Sequence, residues 1–118
     1  SQILAGNDHK WDLAEVVRDS KSLGAVFAPD SGKALYSDTN FQLLGAIIER
    51  CFEIPLTQVV DQHICQKLGL KKTYLYQDEH DTRPAPLNYG THELRVPKAM
   101  TSFGADGGIV STATDGLT

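Results

Sequence analysis

The sequence predicts a mainly α-helical fold with long irregular loops, and three observations lead to this prediction. A helical period of apolar residues begins at Asn40, and a second one begins at Pro55 and ends at Gly69. Between Tyr74 and Ala105, proline and glycine interrupt every window, so no helix is expected there. The length of 118 residues suits a single small domain with one core.

The first predicted helix follows Asn40 directly. Its apolar side chains recur at three- and four-residue steps, while polar side chains occupy the opposite side. Thr39 or Asn40 can accept hydrogen bonds from N–H groups of the first turn, and Pro55 stops the helix. The apolar side chains are Phe41, Leu44, Ile47, Ile48 and either Cys51 or Phe52.

The second predicted helix begins at Pro55, where the missing N–H group costs nothing. Gly69 is suited to a left-handed cap at the C-terminal end, with Leu68 and Leu70 providing the apolar contact around it. Helices joined by so short a connection are expected to pack as a helical hairpin. The apolar face consists of Leu56, Val59, Val60, Ile64 and Leu68.

A short third helix is predicted near the start of the chain. Asp12 is its expected N-terminal cap, and Glu15 lies in its first turn. Its apolar face consists of Trp11, Ala14 (or Leu13) and Val17, and Trp11 is expected in the core.

The remaining segments are mostly irregular. Short extended pieces are expected at Thr73–Leu75 and Leu94–Val96, which leaves room for a short hairpin. Near the C-terminus, Gly107–Gly108 predicts a tight turn that leads into a helix capped by Ser111 or Thr112.

Composition excludes several classes of protein. The chain is 41% hydrophobic and 22% charged, so it is neither a disordered tail nor a collagen-like repeat. The formal charge of −4 gives no electrostatic basis for binding nucleic acid. No apolar stretch approaches eighteen residues, so no membrane span is expected.

The segment Tyr36–Arg50 resembles the second motif box of the serine β-lactamase and penicillin-binding protein superfamily. The similar branch contains class C β-lactamases, D-alanyl-D-alanine carboxypeptidases and related esterases, in which Tyr-Ser-Asn precedes a leucine-glycine-isoleucine helix. Four further segments resemble family motifs and occur in the family's order: Phe27–Gly32, Ile54–Leu56, Leu68–Thr73 and Gly107–Asp115.

Two boxes of that superfamily are absent from this sequence. No serine is followed by lysine at the third position, as the nucleophile motif Ser-x-x-Lys requires. The Lys-Thr-Gly box is also missing, because Lys72 and Thr73 are followed by Tyr74. The resemblance therefore implies that residues 1–118 form a single helical subdomain of a β-lactamase/transpeptidase-like fold, taken from a protein about three times longer. The α/β half would lie elsewhere.

Tyr36 matches the tyrosine that the family uses for proton transfer beside the nucleophilic serine and the lysine. An ordinary phenol has a pKa near 10, so it needs nearby cations to act as a base near neutral pH. The resemblance implies that those cations come from the two missing boxes. Without the resemblance, Tyr36 would be interpreted as a structural tyrosine in a loop.

Asp38 stands where the family usually has asparagine, a residue implied to hold the substrate's amide. An ionised aspartate only accepts hydrogen bonds, and it repels a substrate carboxylate such as that of a β-lactam. The hypothesis is that the complete protein is a poor β-lactamase and acts instead as an esterase or peptidase relative. A simple helix-capping role for Asp38 is compatible with this.

Three other patterns have simpler explanations than a site. The run Asp78–Asp81 offers metal-binding side chains, but consecutive loop residues seldom converge on one ion. Cys51, His63 and Cys65 lack the spacing of zinc ligands, and both cysteines are expected as small buried side chains. Gly107–Gly108 is not followed by the Gly-Lys-Ser/Thr of a phosphate-binding loop. No metal and no cofactor are expected.

The resemblance implies one wall of the active-site cleft of a serine acyl hydrolase, inactive by itself. The implied partners are the missing α/β half and, for the complete protein, a small acyl substrate. Exposed apolar surface would also allow a homo-oligomer. The alternative is a stand-alone binding or interaction module that keeps the helical scaffold. Members of the family are often periplasmic or exported, and the sequence assigns no compartment.

Overall fold

The fold was described from a computed structural model, which describes residues 5–118. It is mainly helical, with four very short strands. The helices are α1 (Leu13–Ser22), α2 (Asp38–Phe52), α3 (Leu56–Val60), α4 (Gln66–Leu68), α5 (Pro97–Met100), α6 (Gly104–Gly107) and α7 (Ala113–Gly116). The strands are β1 (Tyr74–Leu75), β2 (Leu87–Tyr89), β3 (His92–Leu94) and β4 (Ile109–Val110).

The predicted helical hairpin is present. A π-helical turn at Asp61–Cys65 joins α3 to α4, so the second arm is continuous from Leu56 to Leu68. The arm ends at Gly69, whose φ of +68° is the left-handed conformation predicted for this cap. The Leu70 N–H then donates to the Cys65 carbonyl at 2.8 Å, which satisfies one of the last free carbonyls of the helix.

Helix α1 also forms as predicted. Asp12 and Glu15 make a reciprocal capping box, in which each side chain accepts a hydrogen bond from the other residue's backbone N–H. Trp11, however, is only half-buried, so its expected place in the core is wrong. It lies just before the helix, where its backbone N–H donates to Ser102 Oγ at 2.8 Å.

The cap predicted for α2 is wrong. The helix begins two residues earlier than Asn40, with Ser37 in extended conformation at the cap position. Thr39 therefore lies inside the first turn, where its hydroxyl is 2.9 Å from Ser20 Oγ on α1. Its side chain links two helices and does not cap its own.

Two antiparallel strand pairs form, β1 with β4 and β2 with β3. The β2–β3 hairpin turns at Gly90, where φ is +60°. It ends at Leu94, so the extended segment expected at Leu94–Val96 lies too far along the chain. Strand β4 was not predicted, but Thr112 does cap the helix after it, accepting a hydrogen bond from Asp115 N–H.

A short helix, α5, forms inside the segment where none was expected. Pro97 occupies its first turn, where proline is favoured. The first free N–H groups, those of Lys98 and Ala99, donate to the carboxylate of Asp8 at 3.1 and 2.8 Å. The cap is therefore supplied from far away along the chain.

The core is small. Its buried apolar side chains are Val59, Cys65, Leu75, Tyr76, Val96 and Ala99. Cys65 is buried as expected, but Cys51 is exposed, because it lies on a side of α2 away from the packed Gly45. The accessible surface is 8879 Å², against roughly 6,300 Å² expected for a compact protein of this mass.

No helix among residues 5–118 has the length and hydropathy that a membrane crossing requires.

Candidate active site

Tyr36 lies in the loop immediately before α2. Its side chain is 70% exposed, and its ring packs against Phe41, with ring centroids 5.6 Å apart. Because Phe41 is on the first turns of α2, this contact fixes the tyrosine to the N-terminal end of that helix. The phenol oxygen is thus on the surface, where another part of a protein or a substrate can reach it.

Asp38 begins α2, two residues after Tyr36. Asp38 is close enough to act on Tyr36, and it raises the pKa of Tyr36 above 10.0 mainly as a hydrogen-bond partner of the phenol. Desolvation and the negative charges of Asp38 and Asp106 raise this pKa further. These neighbours stabilise the neutral phenol relative to the phenolate.

Asp106, on α6, is the third polar group at this end of α2. Burial is the main cause that raises its pKa above 3.8, and the charge of Asp38 acts in the same direction. A hydrogen bond from Gln42 Nε2 to Asp106 Oδ1, 2.7 Å long, acts in the opposite direction. Asp106 is therefore a partly buried carboxyl group to which the Gln42 side chain donates.

An apolar groove of about 400 Å³ runs from Tyr36 and Asp106 along the helical hairpin. Among residues 5–118, no lysine or arginine lines it, so its polar end carries only negative charge. Its apolar walls come from both arms of the hairpin and from β4: Phe41, Ile48, Leu56, Val60, Ile64 and Ile109.

Close packing between α2 and α6 places Asp106 beside α2. Gly45 is the buried residue of α2, and a Cβ atom there would lie 2.8 Å from the Ala105 Cβ. Only a glycine allows this approach without a shift of one of the helices. The distance between the two helices at the candidate site is therefore set by Gly45.

The run Asp78–Asp81 does not form a metal site. Asp81 accepts a hydrogen bond from the Tyr74 hydroxyl at 2.6 Å and two from the Arg83 guanidinium at 2.8 and 2.9 Å. Arg83 also stacks on the Tyr74 ring, 4.0 Å from its centroid. This ion pair holds the loop after β1 in place.

Among residues 5–118, no three His, Cys, Asp or Glu side chains are grouped as a metal ion would need. His63 packs edge-on against the Phe52 ring at 4.7 Å, which links the two arms of the hairpin.

The sequence reasoning missed Asp106 and Gln42. Asp106 directly precedes the Gly107–Gly108 pair, which by itself predicts only a turn. Gln42 lies on the polar side of a helix, where a glutamine gives no signal of its own. The acidic residue beside the glycine pair was the available clue.

The family model described as Beta-lactamase matches residues 1–118. The chain belongs to the Beta-lactamase family. No curated protein matches this beta-lactamase-family chain.

Solved structures of amidases share the fold of this beta-lactamase-family chain. The D-amino acid amidase from Ochrobactrum anthropi SV3 is 28% identical, with a TM-score of 0.72 over 92% of this chain and 33% of that chain. The D-stereospecific amidohydrolase from Streptomyces sp. is 23% identical, with a TM-score of 0.74 over 96% of this chain and 35% of that chain.

The chain spans about one third of the length of these amidases. The family and the fold place it in a superfamily of serine hydrolases, as a mainly helical piece of the β-lactamase-like fold.

Proposed function

We propose that this chain is the helical subdomain of a serine acyl hydrolase and forms one wall of its active-site cleft. Tyr36 takes part in proton transfer, Asp38 faces the substrate, and polypeptide outside this sequence supplies the nucleophile. The observation that carries the proposal is the position of Tyr36, exposed at the N-terminal end of α2 beside Asp38 and at the mouth of the groove.

Acyl transfer requires a nucleophile, a group that takes its proton, and donors for the developing oxyanion. Within residues 5–118, the groups that act on Tyr36 raise its pKa and none lowers it. A cation from the rest of the hydrolase must therefore oppose Asp38 and Asp106 before the phenolate can form. A lysine in a Ser-x-x-Lys motif would do this, so this chain is inactive by itself.

The exposed apolar surface supports a partner of this kind. Leu44 and Ile47 are 51% and 56% exposed, and both lie on the face of α2 away from Gly45. The radius of gyration is 16.1 Å, against about 13.5 Å for a compact chain of this length. We propose that the α/β half of the hydrolase covers this face and the groove.

The substrate class follows from the charge at the cleft. Asp38 and Asp106 are both acidic, and no cation lines the groove within the described part of the chain. Such a site disfavours a substrate with a nearby carboxylate and admits a neutral or cationic amide or ester. The similarity to a D-amino acid amidase supports an amide substrate.

The test is Tyr36→Phe in the full-length hydrolase. We expect kcat for a chromogenic ester and for D-phenylalanine amide to fall on the order of 100-fold or more, because general acid–base catalysis contributes that much. Tyr89→Phe is the matched control, since Tyr89 is also exposed but lies on the β2–β3 hairpin. That control should leave kcat unchanged.

Labelling with a fluorophosphonate separates this proposal from the stand-alone module. The full-length hydrolase should be labelled on a serine outside this sequence, and the 118-residue chain should stay unmodified. Labelling of a serine within the 118 residues would refute the proposed arrangement. Absence of labelling in the full-length protein would favour a binding module.

A further inference from the structure

Gln42 connects the N-terminal half of α2 to the segment that carries α6. Its side-chain Nε2 lies 2.8 Å from the Ser102 carbonyl oxygen, 2.9 Å from the Phe103 carbonyl oxygen and 2.7 Å from Asp106 Oδ1. All three partners are acceptors, so the side chain must present its amino group to them. The Gln42 amino group thus donates hydrogen bonds to two backbone carbonyls and one carboxylate.

The chemistry of this position is selective. An ionised glutamate would place a second negative charge against Asp106 and would have no hydrogen to donate. A methionine would fill the same space without a donor, so all three hydrogen bonds from this position would be lost. Glutamine can donate at any pH, which neither of these substitutes can do.

Two glycines beside Gln42 allow close packing around its side chain. Gly104 has a φ of +42°, and a Cβ atom there would lie 3.2 Å from Gln42 Oε1. One turn further along α2, Gly45 makes its close approach to Ala105. Gln42 is also one turn after Asp38, so the same contact that fixes α6 fixes the first turn of α2.

We propose that Gln42 is a positioning residue for the reaction, holding Asp106 and the Tyr36–Asp38 turn in their working arrangement without touching the substrate. This inference rests on the proposed function. The charged and titratable groups around Gln42 are Asp106 from α6 and, at the start of α2, Asp38 and Tyr36.

The experiment compares Gln42→Glu and Gln42→Met in the full-length hydrolase, with kcat and KM for a chromogenic ester measured from about pH 5 to about pH 8. At the upper end both variants should lose on the order of tenfold to a hundredfold in kcat, with KM changed by less than about threefold, because geometry and not binding is altered. As the pH falls, the introduced glutamate becomes protonated and can donate, so the kcat of Gln42→Glu relative to wild type should recover several-fold. The kcat of Gln42→Met relative to wild type should stay constant over the same pH range.

Ser20→Ala is the control for a merely structural effect. It removes the 2.9 Å contact between Ser20 Oγ and Thr39 Oγ1, which joins α2 to α1 and not to α6. It should therefore lower the melting temperature and leave kcat unchanged. Thermal unfolding of all variants shows whether each is folded under assay conditions.

The outcomes distinguish this inference from the proposed function. If Tyr36→Phe abolishes activity but Gln42→Glu and Gln42→Met match Ser20→Ala at every pH, the positioning role is wrong and the proposed function stands. If Tyr36→Phe remains fully active, the proposed function fails first. Acid recovery of Gln42→Glu beside a flat Gln42→Met profile supports the positioning role.

Discussion

At the residue scale, Asp38 differs from asparagine by one group, and under the proposed function that group sets which charges the cleft accepts. A like charge about 6 Å away costs roughly 1–3 kcal/mol at the effective dielectric of a protein surface. We therefore predict that Asp38→Asn raises kcat/KM of the full-length hydrolase for a penicillin by about tenfold or more, relative to a neutral ester. Steady-state rates on both substrates measure this ratio. The prediction is contradicted if the unmodified protein already hydrolyses the penicillin well and the substitution adds nothing.

Asp81 makes the stability of the folded chain depend on pH in the acid range. Hydrogen bonds from Arg83, and then from Tyr74, hold the pKa of Asp81 well below its usual range. A carboxyl group with a lowered pKa stabilises the folded state above its unfolded pKa of about 3.9, and this stabilisation is lost as the pH falls through and below that value. We predict that Asp81→Asn lowers the urea midpoint at about pH 7, and that its difference from wild type is smaller at about pH 3.

The matched control for Asp81 is Glu93→Gln. Glu93 also pairs with an arginine two residues away, at 2.9 Å, but its side chain is 46% exposed, against 8% for Asp81. An exposed pair contributes little, so this substitution should barely change the midpoint at either pH. Equal effects of the two substitutions would show that the Tyr74 contact adds nothing.

At the element scale, the contact between α2 and α6 depends on Gly45. An alanine is normally favoured over glycine inside a helix, but here its Cβ would lie 2.8 Å from the Ala105 Cβ. Overpacking of this kind costs about 1–3 kcal/mol. We predict that Gly45→Ala lowers the free energy of unfolding by that amount. Gly116→Ala, which meets nothing within 4 Å, should be neutral or slightly stabilising in the same denaturant titration.

At the scale of the whole molecule, the exposed face of α2 predicts self-association of the isolated 118-residue chain. Leu44 and Ile47 lie together on that face, and a monomer rarely leaves such a surface uncovered. Light scattering after size-exclusion chromatography should show concentration-dependent oligomers, which Leu44→Glu with Ile47→Glu should reduce. Leu23→Glu is the control, because Leu23 is exposed but lies after α1. A monomeric wild-type chain at high concentration would count against the prediction.

Local rules predicted the parts of the fold that depend on neighbouring residues. The capping box of α1, the left-handed Gly69 and the Thr112 cap all rest on groups within a few residues of one another, so spacing alone indicates them. The α5 helix could not be predicted in this way, because Asp8 satisfies its free N–H groups from about ninety residues away.

In the candidate site, too, some residues could be predicted from neighbouring sequence and others depend on contacts between distant segments. Tyr36 and Asp38 stand in one continuous motif, so the sequence alone indicated them, together with the absence of a Ser-x-x-Lys nucleophile. Asp106 and Gln42 come together only because Gly45 lets α2 and α6 approach closely. The family, the helical hairpin and the residues of the motif could thus be predicted from local sequence. The raised pKa of Tyr36 comes mainly from Asp38, which is local to the motif. Only the added negative charge of Asp106 was decided by tertiary packing, since charges act through space on groups far apart in the chain.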